Sequence, residues 1–130
     1  DISKLTNVEL ISLHKGDGEK QIEEINFDLT ILGNSFDSGG DAFLDTAAVI
    51  LNCDLIITSD TAIAHLAGAL GCHTWVVLKK IPDWRWMLDR NDSPWYPNVK
   101  LYRQKEYDNW EEVFKRIKKD LQIIIKLNEN

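Results

Sequence analysis

Short apolar runs alternate with stretches of helical period along the chain, and that alternation sets the first expectation. Residues 8–14 (VELISLH) read as a strand, 19–25 as a short helix and 27–32 as a second strand. A loop of turn formers fills 33–41 (GNSFDSGGD) and a helix fills 42–52. Residues 54–58 (DLIIT) are continuously apolar in the manner of a buried parallel strand. A helix over 61–70 ends at Gly71, a residue suited to a helix stop, and 73–78 form a further strand. Residues 99–103 form the last strand and 109–127 the closing helix. In that helix Trp110, Val113, Phe114, Ile117, Leu121, Ile124 and Ile125 recur at steps of three and four, one apolar stripe against a sheet.

Five strands interleaved with helices predict an α/β domain: a three-layer, Rossmann-like arrangement with a mainly parallel sheet and helices on both faces. At 130 residues the chain reads as a single domain. In such sheets, ligands bind beyond the carboxyl ends of the strands. That rule singles out residues 15–18, residues 59–62 and the stretch after Leu78.

Composition narrows the partners. A net charge of −6 disfavours a nucleic-acid backbone, which calls for a basic face. The charge is uneven: residues 1–60 carry 12 acids and 3 bases, and residues 61–130 carry 9 acids and 12 bases, so the second half suits an anion better. No apolar run approaches the roughly 20 residues of a membrane span, and no basic-then-apolar leader opens the chain. Cys53 and Cys72 sit in no metal-ligand spacing and read as small buried residues of a reducing, cytoplasmic setting. No metal site and no cofactor is expected. The opening residue, Asp1, reads as the start of a processed chain or an excised piece.

Three segments carry candidate chemistry. Residues 59–65 (SDTAIAH) follow a strand and open a helix, whose free amides and partial positive charge suit a phosphate. Thr61 and His65, four apart, share one face and each has a proton to donate, while Asp60 is expected to cap the helix or fix the loop. The plainer reading is a capped structural helix with a satisfied histidine. Lys15-Gly16-Asp17-Gly18 offers a close backbone approach and a mobile cation, without the spacing of a P-loop; an ordinary turn is the plainer reading. Residues 79–98 hold Trp84, Trp86, Trp95 and Tyr96 among arginines. That composition fits an interface or a stacking surface, or a satellite core stiffened by prolines. Neither HExxH, GxSxG, an EF-hand loop nor a clear acid/base pair is present.

The run FLDTAAVI at 43–50, the segment DLIITSDTAIAHLAGALG at 54–71, WVVL at 75–78, PDWRW at 82–86 and DSPWYP at 92–97 together resemble the carboxyl-terminal region of heptosyltransferase-like glycosyltransferases, particularly those fused to tetratricopeptide repeats. The resemblance spans residues 8 to about 110. It implies one half of a GT-B fold, the half that binds a nucleotide-diphosphate sugar, with the amino-terminal acceptor domain and its general base absent from this chain. By the same resemblance Thr61, Ala62 and His65 hold the diphosphate, Asp60 belongs to the same donor-binding segment without touching phosphate, Lys15 and Gly16 reach it from the first loop, and Asp45 and Thr46 lie near the nucleoside. Heptosyltransferases proper usually have Gly in place of Ala62, while the repeat-fused relatives share the DTA form. No residue matches the family's catalytic base, so the catalytic residue is unknown and the isolated domain is expected not to turn over. The competing class is a non-catalytic interaction module on the same fold. A third, a stand-alone sugar-phosphate or nucleotide enzyme, lacks its acid/base pair. A face left open by the missing domain predicts a homodimer in isolation.

Overall fold

The computed structural model describes residues 2–16 and 19–130. It is an α/β structure in which every strand pairing is parallel: β1 (Ile11–Ser12) with β2 (Thr30–Ile31), and β3 (Ile56–Ser59), β4 (Thr74–Leu78) and β5 (Val99–Arg103) in that spatial order. The helices are α1 (Leu44–Asn52), α2 (Ala62–Ala69) and α3 (Trp110–Asn128).

The alternation of side chains along β4 and β5 creates two apolar faces. Val76 and Leu78, with Val99 and Leu101, point to α2, where Ala64 and Trp86 close the layer. Trp75 and Val77, with Tyr102, point to α3, which meets them with Val113, Ile117 and Leu121. The sheet is therefore sandwiched between helices. A further cluster joins α1 to α2 through Ile50, Ile56 and Ala67, with Leu13 packed against it.

Five parallel strands occur, but they form a sheet of three and a separate pair rather than one sheet. The first two strands shrink from the seven and six residues that the pattern predicts to two each. Their ladder is held by Thr30 N donating to the Leu10 carbonyl (2.8 Å) and Thr30 Oγ1 to Glu9 (3.0 Å), with Ile31 left exposed. The expected central strand, β3, is an edge strand: Ile57 is exposed, because α3 covers only β4 and β5 on that face. β4 is the fully buried one. The short helix expected over 19–25 forms at Glu19–Glu24, as a 3-10 helix.

Helix α2 ends where its glycine predicts. Gly71 takes a positive φ of 74°, Gly71 N–H bonds to the Gly68 carbonyl and Cys72 N–H to the Ala67 carbonyl, the two bonds of a Schellman stop. In α3 the buried row is narrower than the apolar stripe: Phe114, about 100° round the helix from Val113, and Ile124 stay open to solvent. Among the described residues no helix is long and apolar enough to cross a membrane. Cys53 and Cys72 are unpaired and half-buried beside the α1–α2 cluster, where burial pushes the Cys53 thiol up.

Candidate functional site

The loop leaving β3 delivers Ser59, Asp60 and Thr61 to the start of α2, at the carboxyl end of a parallel strand. Thr61, in extended backbone (φ −136°), is the N-cap residue, so the cap is not Asp60. Its side chain makes no capping bond to the helix; it lies 3.2 Å from the Thr58 hydroxyl instead. The first amides of α2 thus keep their donor capacity, with the positive end of the helix dipole behind them. Asp60, Thr61 and Ala62 are all exposed.

His65 follows one turn later and is fixed from two sides. Its Nδ1 lies 3.0 Å from the Tyr96 hydroxyl, and its ring stacks on Trp86 at 5.2 Å and 22°. Tyr96 fits there because of Gly68: a Cβ at that position would stand 2.6 Å from the Tyr96 Cγ. The small residue in α2 therefore admits a ring from residues 79–98 rather than bringing the helix closer to the sheet. The histidine is a partnered residue, as the plainer reading has it, and it sits on the same helix face as Thr61.

The structure gathers a second group at the start of α1. The Asp37 carboxylate accepts from the amides of Asp45 (3.0 Å) and Thr46 (3.4 Å) and from the Thr46 hydroxyl, while Asp45 accepts from the Asp37 amide at 2.8 Å. Asp37 is thus the anion at this helix start, and the Thr46 hydroxyl first, then the backbone amides, hold its carboxyl below the usual range. Phe43, the N-cap residue, has a left-handed φ of 69°. Lys15 reaches into the same place, donating to the Phe36 carbonyl. Gly16 has the positive φ (94°) that its residue type allows, with open space where a Cβ would stand. Asp17 and Gly18, the rest of that expected loop, lie outside the described residues.

The predicted site residues therefore fall into two groups: Asp60, Thr61, Ala62 and His65 at α2, and Lys15, Asp45 and Thr46 around Asp37 at α1, with Gly16 next to Lys15 in the chain. Thr46 is buried and its hydroxyl is committed to Asp37. Sequence reasoning passed over Asp37 and the Tyr96–His65–Trp86 cluster. An aspartate among turn formers ahead of a helix was the available signal for the first; nothing local signals the second.

Residues 79–98 close over the α2 side of the sheet. Asp83 caps a 3-10 turn, Trp84–Trp86, and Met87 ends it with a φ of 56°. Arg103 Nη2 donates to the carbonyls of Trp86 and Arg90, both at 3.3 Å. Burial pushes the Arg103 pKa down. Lys80 N–H donates to Gln104, and its ammonium lies 4.7 Å over the Tyr107 ring. Among the described residues the buried donors Trp86 Nε1, Arg103 Nη1 and Gln104 Nε2 have no hydrogen-bond partner, while Arg116 Nε is left with its ion-pair contact to Glu112 at 2.7 Å. Elsewhere, a hollow of about 610 Å³ opens between residues 2–10 and 25–28, and none of the predicted site residues lines it. The chain matches no family model, no curated protein and no solved structure.

Proposed function

We propose that this chain is the Rossmann-like, donor-binding half of a heptosyltransferase-like GT-B glycosyltransferase, and that α2 holds the diphosphate of a nucleotide sugar. The observation that carries the reading is the start of α2: an N-terminus without a side-chain cap, at the carboxyl end of a parallel strand, with His65 held one turn further on. A diphosphate there would accept from the Ala62 and Ile63 amides and the Thr61 hydroxyl, in the favourable field of the helix. His65, oriented by Tyr96, would donate from its other ring nitrogen. As the anomeric bond breaks, the charge that develops on the departing nucleotide diphosphate is stabilised by these preset dipoles. Lys15 joins only by exchanging the Phe36 carbonyl for a phosphate oxygen. Activation of the acceptor hydroxyl would fall to the acceptor domain of such an enzyme.

A titration with nucleoside diphosphates and nucleotide sugars, followed by backbone amide shifts, tests the proposal. Shifts should centre on residues 59–65, and Thr61→Val should weaken binding about tenfold, the worth of one charge-assisted hydrogen bond. Shifts that avoid α2 across the panel would overturn it. A second reading, an interaction module, is favoured by the exposed Ile81, Trp84 and Leu88 on residues 79–98. It predicts no nucleotide response and self-association or partner binding through that segment.

A further inference from the structure

Apolar rings scattered over a surface are ordinary. Those of residues 79–98 are instead fixed in place. Trp84 is 70% exposed and Trp95 56%. The Trp95 indole donates to the Arg85 carbonyl at 3.0 Å and its backbone amide to Ser93 Oγ at 3.2 Å, so the ring turns inward only by losing an anchor. The Arg85 guanidinium lies 4.8 Å over the Trp84 ring and donates to Asp83 Oδ1 at 2.8 Å. The Arg85 amide uses the same oxygen, at 3.0 Å, which leaves Oδ2 open. Behind them Trp86 is wholly buried against His65. One outward indole, a guanidinium and a carboxylate are thus anchored before any ligand arrives, and the second indole lies against the guanidinium.

We infer that Trp84 and Trp95, with Arg85 and Asp83 beside them, form a platform that binds a pyranose ring of a saccharide. The C–H face of a pyranose is apolar and packs on indole, while its hydroxyls need a donor and an acceptor at the rim; this surface supplies both. A fixed platform loses little side-chain entropy on binding. The inference stands without a nucleotide at α2, and its test omits one.

The whole chain, with tryptophan indoles labelled, is titrated with cello-, malto- and chito-oligosaccharides. The Trp84 and Trp95 signals should move and saturate at about 1 mM, while those of Trp75, Trp86 and Trp110 stay. Trp84→Ala and Arg85→Ala, both surface changes that leave the circular dichroism unaltered, should each weaken binding about tenfold. Unmoved Trp84 and Trp95 signals across the panel at about 20 mM would overturn the inference. So would self-association, read by light scattering, that Trp84→Ala abolishes in a chain indifferent to the sugars; the rings would then be a protein contact. Loss of nucleotide binding at α2, with the sugar response intact, would sink the donor reading alone.

Discussion

Gly68→Ala tests the packing that holds His65. A methyl group at Gly68 would stand 2.6, 2.8 and 2.9 Å from Cγ, Cδ2 and Cδ1 of Tyr96, contacts that require the ring to move as a whole. Overpacking of this kind costs about 1–3 kcal/mol. Displacing the ring also forfeits the hydroxyl contact to His65, worth about 1 kcal/mol. Against this, Ala in place of Gly inside a helix contributes about 1 kcal/mol. The net expectation is a loss of about 1–3 kcal/mol, with a melting temperature lower by about 3–5 °C for each kcal/mol in a domain of this size. In a Tyr96→Ala background the obstacle is gone and only the helix preference remains, so the same substitution should raise the midpoint. Urea unfolding of the four proteins gives a coupling of about 2–4 kcal/mol. If Gly68→Ala raises stability in both backgrounds, Tyr96 does not rest on Gly68, and the positioning of His65 by Tyr96 falls with it.

Four further expectations follow from named contacts. Asp120 accepts from Lys100 and the Tyr102 hydroxyl, both at 2.7 Å; burial alone would raise its pKa, but these bonds hold it below the usual value. Its stabilisation is therefore full above the ordinary carboxylate range and lost as pH falls through the lowered folded value, so Asp120→Asn should flatten the acid limb of a stability-against-pH curve. The Tyr102 pKa is raised, by burial first and then by Asp120, so its contribution persists up to the ordinary tyrosine value and is lost above it; Tyr102→Phe should cost about 1 kcal/mol at neutral pH and remove that alkaline loss. Asn109 caps α3 by accepting from the Glu112 amide at 3.3 Å, and Asn109→Ala should cost about 1 kcal/mol in urea unfolding with nucleotide shifts unaltered. Thr46→Val removes the hydroxyl that Asp37 accepts and should lower the melting temperature; a nucleotide affinity that drops as well would show the hydroxyl serving the ligand rather than the cap.

What the sequence makes legible is whatever one element determines by itself. The stop at Gly71 rests on a single φ and could be read directly; helical period gave the apolar side of α3 but not its width, since Phe114 and Ile124 stay exposed. The α/β class followed from the order of such elements. Strand length and sheet membership depend on what lies alongside. DLIIT is as apolar as a central strand, yet β3 lies at an edge because neither β1 nor β2 joins its sheet. At the candidate site, position 65 was readable as a histidine one turn into a helix, but its partner is Tyr96, 31 residues away. Asp37 bonds to Asp45 across eight residues, through a loop with Asp37 and Phe43 both at positive φ that non-glycine residues rarely adopt.

Residues 79–98 bring the two readings of that segment together. A 3-10 turn advances about 120° per residue, so Trp84 and Trp86 cannot face the same way. Asp83 fixes where the turn begins, and with it which indole goes inside. The inner indole packs with Ala64, Val76 and Leu101 and stacks on His65; the outer one carries Arg85 to the surface. The satellite core is thus what makes a fixed surface possible, because the burial of Trp86 anchors the backbone from which Trp84 and Arg85 project. The same anchor stands behind His65, so the two proposed sites share one rigid element while contacting different chemistry. Movement of Trp86 would couple ligands at the two sites, and full burial in a packed core resists that movement. The coupling that remains is electrostatic, because the His65 ring already acts on the Asp83 carboxylate.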